Sequence, residues 1–452
     1  MRFGEAGRIR RLLARGGAAV PGLLLFFVAA HAEGPPLSVD ECVQMALRNN
    51  PALAMARWQL SGTEASRLST YSAYLPAVSL QNNYVKSVTQ FDQPKIDPNS
   101  GLLITSTTRS VNDYYVLQGT VTQNLVSPPA WFQNLAAGAT VAAVRQGLRA
   151  TEADVAFRVR QQYFLLLGAI LLEDVSKEAL SVSQDQLKKA EALFELGSVA
   201  RRDVLQARVN RANQERAEIQ ARTAVEWQRA QLAALLGLDV QEPLEIRLDV
   251  ADPIAAEVPD ESSSIREALD LRPEVKRAEA ELRGARLSYR SSFWSLFPTL
   301  HGTLFYSRQA DALSRVIKLS QLDQNAQWGF AIGLRWDIFD GLATWGDVQR
   351  AKAEVSSARE ARREQELAAA LAVREAQIAI QNARDGVRAA EEGVGLAEEN
   401  LKLQQALYEN GGGTMLELND AQVQWTRAKH ALVEARIELH VALAQLDRAV
   451  GR

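Results

Sequence analysis

The residues best suited to chemistry lie in a stretch that the chain contains twice. Leu407–Val423 repeats the pattern of Leu193–Val209: leucine, an aromatic residue, Glu, one more residue and Gly, then an acidic residue before Ala-x-Val. The acidic residue is Asp203 in the first copy and Glu417 in the second. Glu417 and Asp420 are three residues apart and would share one helix face. Copies of this pair around one axis would attract cations; alternatively, both residues only stabilise a helix N-terminus.

Other kinds of chemistry have little support in the sequence. His301, His430 and His440 lack the spacing of metal ligands. The run Gly411–Gly413 lacks the Gly-Lys-Ser/Thr of a phosphate-binding loop. We therefore expect no enzyme, no metal and no cofactor. The net charge of −3 gives no nucleic-acid footprint, and the single cysteine, Cys42, excludes an internal disulfide.

Residues 1–32 have the features of a secretory signal peptide. Four arginines between Arg8 and Arg15 precede an apolar run of 13 residues, Ala18–Ala30. That run is too short to span a bilayer as a helix. It ends at the small-residue cleavage pattern Ala30-His31-Ala32. A signal peptide predicts an exported mature protein; the alternative is a membrane anchor.

The rest of the chain divides into two related halves. The segment "ALRNNPALAMARWQL" from Ala46 aligns without gaps with "ALDLRPEVKRAEAEL" from Ala268. We place the halves at residues 33–240 and 262–452, with a proline-rich linker at 241–261 between them.

Each half is predicted to open with two helices. Ser38–Glu41 and Ser264–Glu267 both match the capping-box pattern of a helix start. The second helix of each half should end near Pro76 or Pro298, because proline interrupts a helix.

After each of these prolines the apolar residues recur at every second position, which predicts strands. The clearest case is the alternating set Trp328, Phe330, Ile332, Leu334, Trp336 and Ile338. Each half should contain two strands, with loops near 92–108 and 309–325 between them. The predicted strands cover about 76–91, 109–126, 298–308 and 326–339.

Each half closes with a long helical hairpin, at 129–237 and at 342–450. In the second hairpin, apolar residues recur every seven positions at Val373, Ile380, Val387, Val394, Leu401 and Tyr408. Alanines accompany this seam, which is typical of closely packed coiled coils. A soluble helical bundle would explain these seams equally well, but it would not explain the strands.

Four strands cannot close a barrel, and lipid excludes an open sheet edge. We therefore expect several chains to pool their strands, so that two chains give eight strands and three give twelve. Trp328 and Trp336 are eight residues apart, about 26 Å along a strand at ~3.3 Å per residue. This span is close to the apolar band of an outer-membrane barrel, about 25 Å between its aromatic girdles. The alternative is the edge of a β-sandwich.

The chain resembles the TolC-like outer-membrane factor family. The resemblance lies in the opening "LSVDECVQMALRNNPAL", the pattern "YSAYLPAVSLQNNY", the "RWDIFDG" before the second long helix, the duplication and the two Gly-containing turns. It implies a mainly α fold with a transmembrane β part: long coiled-coil helices form a periplasmic tube, and four strands per chain join a trimeric 12-stranded barrel. The implied homotrimer lies in outer-membrane lipid and is the exit duct of a tripartite efflux pump or type I secretion system. Its partners would be a periplasmic adaptor protein and an inner-membrane pump.

The resemblance also assigns roles to residues at the two turns. Asp203 and Tyr408 match members of the network that closes the periplasmic tip, and Glu417 and Asp420 match its acidic rings. Gly413 stands where some members have a network arginine, which Arg201 or Arg202 could replace. The adaptor-contact turns would be formed by Gly197, Ser198, Val199 and Ala200 and by Gly411, Gly412, Gly413 and Thr414. Trp328, Phe330, Ile332, Leu334 and Trp336 would face lipid.

The sequence does not define the exported substrate. The rival interpretation is a periplasmic coiled-coil adaptor or structural protein. An adaptor should carry a Gly/Val-rich β-domain between its hairpin helices, and the sequence contains no such segment.

Overall fold

The computed structural model describes residues 36–99, 101–241, 244–248, 253–255, 259–318 and 326–452, so the predicted signal peptide lies outside the described residues. The first half contains helices α1 (Val39–Asn49), α2 (Pro51–Thr70), α3 (Pro128–Glu195) and α4 (Arg201–Leu236), with strands β1 (Ala77–Ile96) and β2 (Leu103–Val126) between α2 and α3. The second half contains helices α5 (Glu261–Leu271), α6 (Pro273–Trp294), α7 (Leu313–Val316), α8 (Ala343–Glu409) and α9 (Met415–Val450), with strands β3 (Thr299–Ala310) and β4 (Ala326–Arg335) on either side of α7.

The first helix of each half begins at a different kind of cap. Ser38 caps α1, and its backbone N–H donates to the Glu41 carboxylate at 2.7 Å, so the predicted capping box is confirmed. The box predicted at Ser264 is wrong, because α5 begins about one turn earlier. Asp260 caps that helix, and its carboxylate accepts from the Ser262 backbone N–H at 3.2 Å. Ser264 is buried inside α5, where its hydroxyl donates to the Asp260 carbonyl at 3.0 Å.

The long helices form two antiparallel hairpins, α3 with α4 and α8 with α9. The helix α3 has 68 residues and α8 has 67, so each is about 100 Å long at ~1.5 Å per residue. The predicted seam of α8 is buried at Val373, Ile380 and Val387, where it packs against Leu439 and Leu446 of α9. Alanines beside these residues let the two backbones approach closely.

A second layer, formed by α1, the segment before it and the linker, covers one face of α3. At the centre of this contact lies Tyr163 of α3, which is 1% exposed and whose hydroxyl donates to the carbonyl of Arg247 at 2.8 Å. Leu37 and Ile246 form a parallel β-bridge beside it. The linker and the segment before α1 are therefore joined over the middle of α3.

The four strands form one antiparallel sheet in the order β1-β2-β3-β4. Val78 pairs with Val121, Val121 with Leu304, and Leu304 with Phe330, so the alternating apolar residues of all four strands share one face. The outer edges of β1 and β4 have no partner strand among the described residues.

The strand boundaries differ from the sequence prediction in the β1–β2 hairpin and at the end of β4. The strands β1 and β2 stay paired as far as Ile96 and Leu103, so most of the loop expected at 92–108 is strand. This extension is largely polar, and its contacts include the Thr107 hydroxyl donating to Asp92 at 2.7 Å. It therefore lacks the apolar alternation from which strands are predicted. In contrast, β4 ends at Arg335, earlier than the expected end at 339.

Candidate functional site at the helical turns

The two long hairpins turn at glycines in the same way. Gly197 has a φ of +75° and Gly411 a φ of +74°, a region that favours glycine. The Ser198 N–H donates to the Leu193 carbonyl at 2.9 Å, and the Gly412 N–H donates to the Leu407 carbonyl at 2.8 Å. The repeated sequence stretch therefore builds the same helix stop twice.

The second turn continues into a capping box at the start of α9. The Thr414 N–H donates to Glu417 at 2.8 Å, and the Glu417 N–H donates to the Thr414 hydroxyl at 3.3 Å. The backbone N–H and the hydroxyl of Thr414 both donate to the Glu417 carboxylate, and these two hydrogen bonds lower the pKa of the Glu417 carboxyl. Glu417 thus has the helix-start role, and Asp420 lies exposed one turn further on. Their role in an acidic ring stays a prediction.

The structure brings Asp203 and Tyr408 together from different hairpins. Tyr408 is 5% exposed, and within the described residues its hydroxyl has no hydrogen-bond partner. Burial and the charge of Asp203 raise the pKa of this hydroxyl. Arg201 and Arg202 are the two candidates to replace the network arginine that is missing at Gly413. Of these, Arg202 lies 3.5 Å from the Asp203 carboxylate.

Sequence reasoning missed Gln186. Its side chain is 4% exposed, and neither of its polar atoms has a hydrogen-bond partner in the described part of the chain. It lines a cavity of about 150 Å³ together with Tyr408 and Leu418. The buried positions Ala179, Ser183, Gln186 and Ala190 follow a four-three-four spacing, a signal that could have identified Gln186 as a polar seam residue.

Four of the five predicted lipid-facing residues lie on the apolar face of the sheet. Trp328, Phe330, Ile332 and Leu334 are between 59% and 76% exposed. Trp336 lies just beyond the end of β4, where its indole N–H donates to the Leu296 carbonyl at 3.1 Å.

Both halves of the chain match one known family. A model of the family described as "Outer membrane efflux protein" matches residues 42–238 and 264–452. The chain belongs to this family. The predicted resemblance and the outer-membrane location are confirmed, and the family supports a role as an exit duct.

A named relative matches part of the chain. Protein CyaE of Bordetella pertussis is 29% identical over 249 residues, which are 55% of this chain and 52% of that protein. The match therefore spans about half the length of this relative.

Solved structures share the fold. The outer-membrane channel OprN has a TM-score of 0.76 at 20% identity, covering 91% of this chain and 89% of that one. The CmeC outer membrane channel of Campylobacter jejuni has a TM-score of 0.74 at 18% identity, covering 91% and 85%. The predicted fold class, long helices with four barrel strands, is confirmed.

Proposed function

We propose that three copies of this chain form a passive exit duct through the outer membrane and the periplasm. The observation that carries the proposal is the four-stranded sheet with two open edges and one exposed apolar face in the described part of the chain. Lipid does not tolerate unpaired strand edges, so the sheet must be closed by other strands. Three copies supply twelve strands, an even number that suits an outer-membrane barrel.

The periplasmic tip of this duct works as a gate. Among the described residues, Tyr408 and Gln186 bury polar atoms without hydrogen bonds where α3 meets α8. Each such atom costs about 1–3 kcal/mol. Opening the tip would hydrate these groups, so the closed contact is easily released. The Asp203 carboxylate, which lies 3.5 Å from Arg202, places a negative charge near Tyr408 in this contact.

The two turns are the contact surface for a periplasmic adaptor, through which an inner-membrane pump delivers substrate. Leu196 is 78% exposed beside Gly197, and Leu416 is 63% exposed shortly after Thr414. Exposed leucines at the ends of both hairpins suit docking to another protein.

Native mass measurement of the detergent-solubilised protein, combined with conductance in planar bilayers, tests the duct. We expect a mass of three chains, recovery in the outer-membrane fraction and a conducting pore. A monodisperse, non-conducting protein in the soluble periplasmic fraction would instead support the rival adaptor or structural protein.

A further inference from the structure

Arg308 is a buried cation on the face of the sheet that otherwise carries apolar side chains. It is 3% exposed, and among the described residues no other lysine, arginine, aspartate or glutamate is as fully buried. Alternate residues of a strand share a face, so Arg308 follows Leu304 and Tyr306 on the apolar face of β3. A charge in such a position is costly unless a group of opposite charge neutralises it.

The position of Arg308 along β3 places it at the outer rim of the proposed barrel. Thr299 pairs with Arg335 at the end of the sheet that leads into the helices, so Arg308 lies near the other end. Tyr306 pairs with Trp328 in an aromatic row, and Arg308 lies two residues beyond Tyr306, about 7 Å at ~3.3 Å per residue. Aromatic rows mark the lipid–water boundary of such barrels. Arg308 is therefore level with the lipid headgroups of the outer leaflet.

The α7 segment, residues 311–318, folds over Arg308. The Arg308 Nη1 group donates to the carbonyl of Val316 at 3.4 Å and to the carbonyl of Lys318 at 3.2 Å. Val316 is fully buried, and α7 packs against β2 and β3. These hydrogen bonds hold the backbone of Lys318 on the apolar face of the sheet, while Lys318 itself is exposed.

No carboxylate neutralises Arg308 in the described part of the chain. Its Nε atom is buried and has no hydrogen-bond partner there. Asp311, the acidic residue nearest in sequence, is already paired with Arg315 at 2.7 Å. Residues 308–318 contain the three cations Arg308, Arg315 and Lys318 against Asp311 alone, a surplus of two positive charges. A charge that is shielded from water and left unpaired strongly attracts an anion.

We propose that the α7 segment, with Arg308 beneath it, binds the phosphate of a lipid headgroup in the outer leaflet. The inference rests on the proposed barrel and adds a lipid site to it. Lys318 contacts the phosphate, and Arg308 adds its unpaired charge from below while it holds Lys318 in place. A lipid suits this site better than free phosphate, because its acyl chains would lie along the apolar face that carries Phe330 and Ile332.

The test is binding of diphosphorylated lipid A to the purified trimer in detergent, titrated and counted by native mass spectrometry. The wild type should bind it saturably and about tenfold or more tightly than the same lipid without its phosphates. Arg308→Gln with Lys318→Gln should lower the affinity about tenfold, the scale of charge-assisted hydrogen bonds. Lys95→Gln with Arg109→Gln, the same charge change at exposed sites nearer the tip of the β1–β2 hairpin, is the matched control and should have no effect.

Lys318→Gln alone separates a lost contact from a disturbed fold, because the carbonyl of residue 318 still accepts from Arg308. This variant should weaken lipid A binding about threefold, the scale of an exposed charge pair. Its trimer mass and its thermal unfolding should match those of the wild type.

Four results would overturn the inference while leaving the duct intact. One is a conducting wild-type trimer that binds the lipid equally well with and without phosphates. Another is unchanged affinity in both variants that carry Lys318→Gln. The third is an equal loss of affinity in the control pair. The fourth is displacement of lipid A by an equal concentration of inorganic phosphate, which would assign the site to a free anion. The wild type is checked for mass and conductance, so a failed duct is recognised separately as a protein that neither trimerises nor conducts.

Discussion

The side-chain amide of Asn210 on α4 donates a hydrogen bond to the Gln422 side chain on α9 at 2.8 Å. Gln422 is fully buried and itself donates to the Ala179 carbonyl of α3 at 3.0 Å. Three helices from both halves of the chain therefore meet at one polar group.

Replacing Gln422 with leucine should destabilise this junction by about 1–3 kcal/mol, because the Asn210 amide and the Ala179 carbonyl both lose a buried partner. Thermal unfolding followed by circular dichroism measures the change. A cycle with Asn210→Ala isolates the pair. Additive effects of the two substitutions would show that the hydrogen bond contributes nothing.

Tyr408→Phe should lower the conductance of the reconstituted channel, because it removes a buried hydroxyl that has no hydrogen-bond partner among the described residues and so stabilises the closed tip. Single-channel recording measures the effect. Asp385→Ala, an exposed carboxylate further from the tip on α8, serves as the control. Unchanged conductance in Tyr408→Phe would place the gate elsewhere.

Multivalent cations should block current from the periplasmic side, and Glu417→Ala with Asp420→Ala should relieve that block. Carboxylates crowded around one axis raise the local cation concentration. The measurement is current as a function of cation concentration. Full block in the double variant would leave these carboxylates with only their helix-start role.

Ile332→Arg should prevent membrane assembly, because Ile332 lies midway between Trp328 and Trp336 and an arginine costs about 2–4 kcal/mol near the bilayer midplane. Arg335→Gln, on the opposite face of β4, should assemble normally. Membrane fractionation compares the two variants. Equal assembly of both would mean that this strand does not lie in a barrel wall.

Stability should fall in acid partly through Glu274. Burial alone would raise its pKa, but the hydrogen bond and charge of Arg448 outweigh burial and lower it. A lowered folded-state pKa stabilises the fold above the ordinary value of 4.5, and that contribution is lost as the pH falls. Glu274→Gln should therefore flatten the pH dependence of the free energy of unfolding below pH 4.5, measured by denaturant titration. An unchanged profile would contradict this.

Local patterns were sufficient to predict the long helices, the four strands and the matching turns. The helices and strands follow from the periodic spacing of apolar residues, and each turn depends on a single glycine. Both signals can be read directly from the sequence. Seven-residue spacing located Val373 and Ile380, and two-residue spacing located the face that carries Phe330.

Contacts between buried groups on different helices could be identified only from the tertiary structure. Ser264 matched a local capping pattern, yet Asp260 forms the cap because the helix begins about one turn earlier. The cavity that Gln186 lines depends on how α3 packs against α8. Contacts between distant segments are set by packing, so no local pattern in the sequence could reveal them.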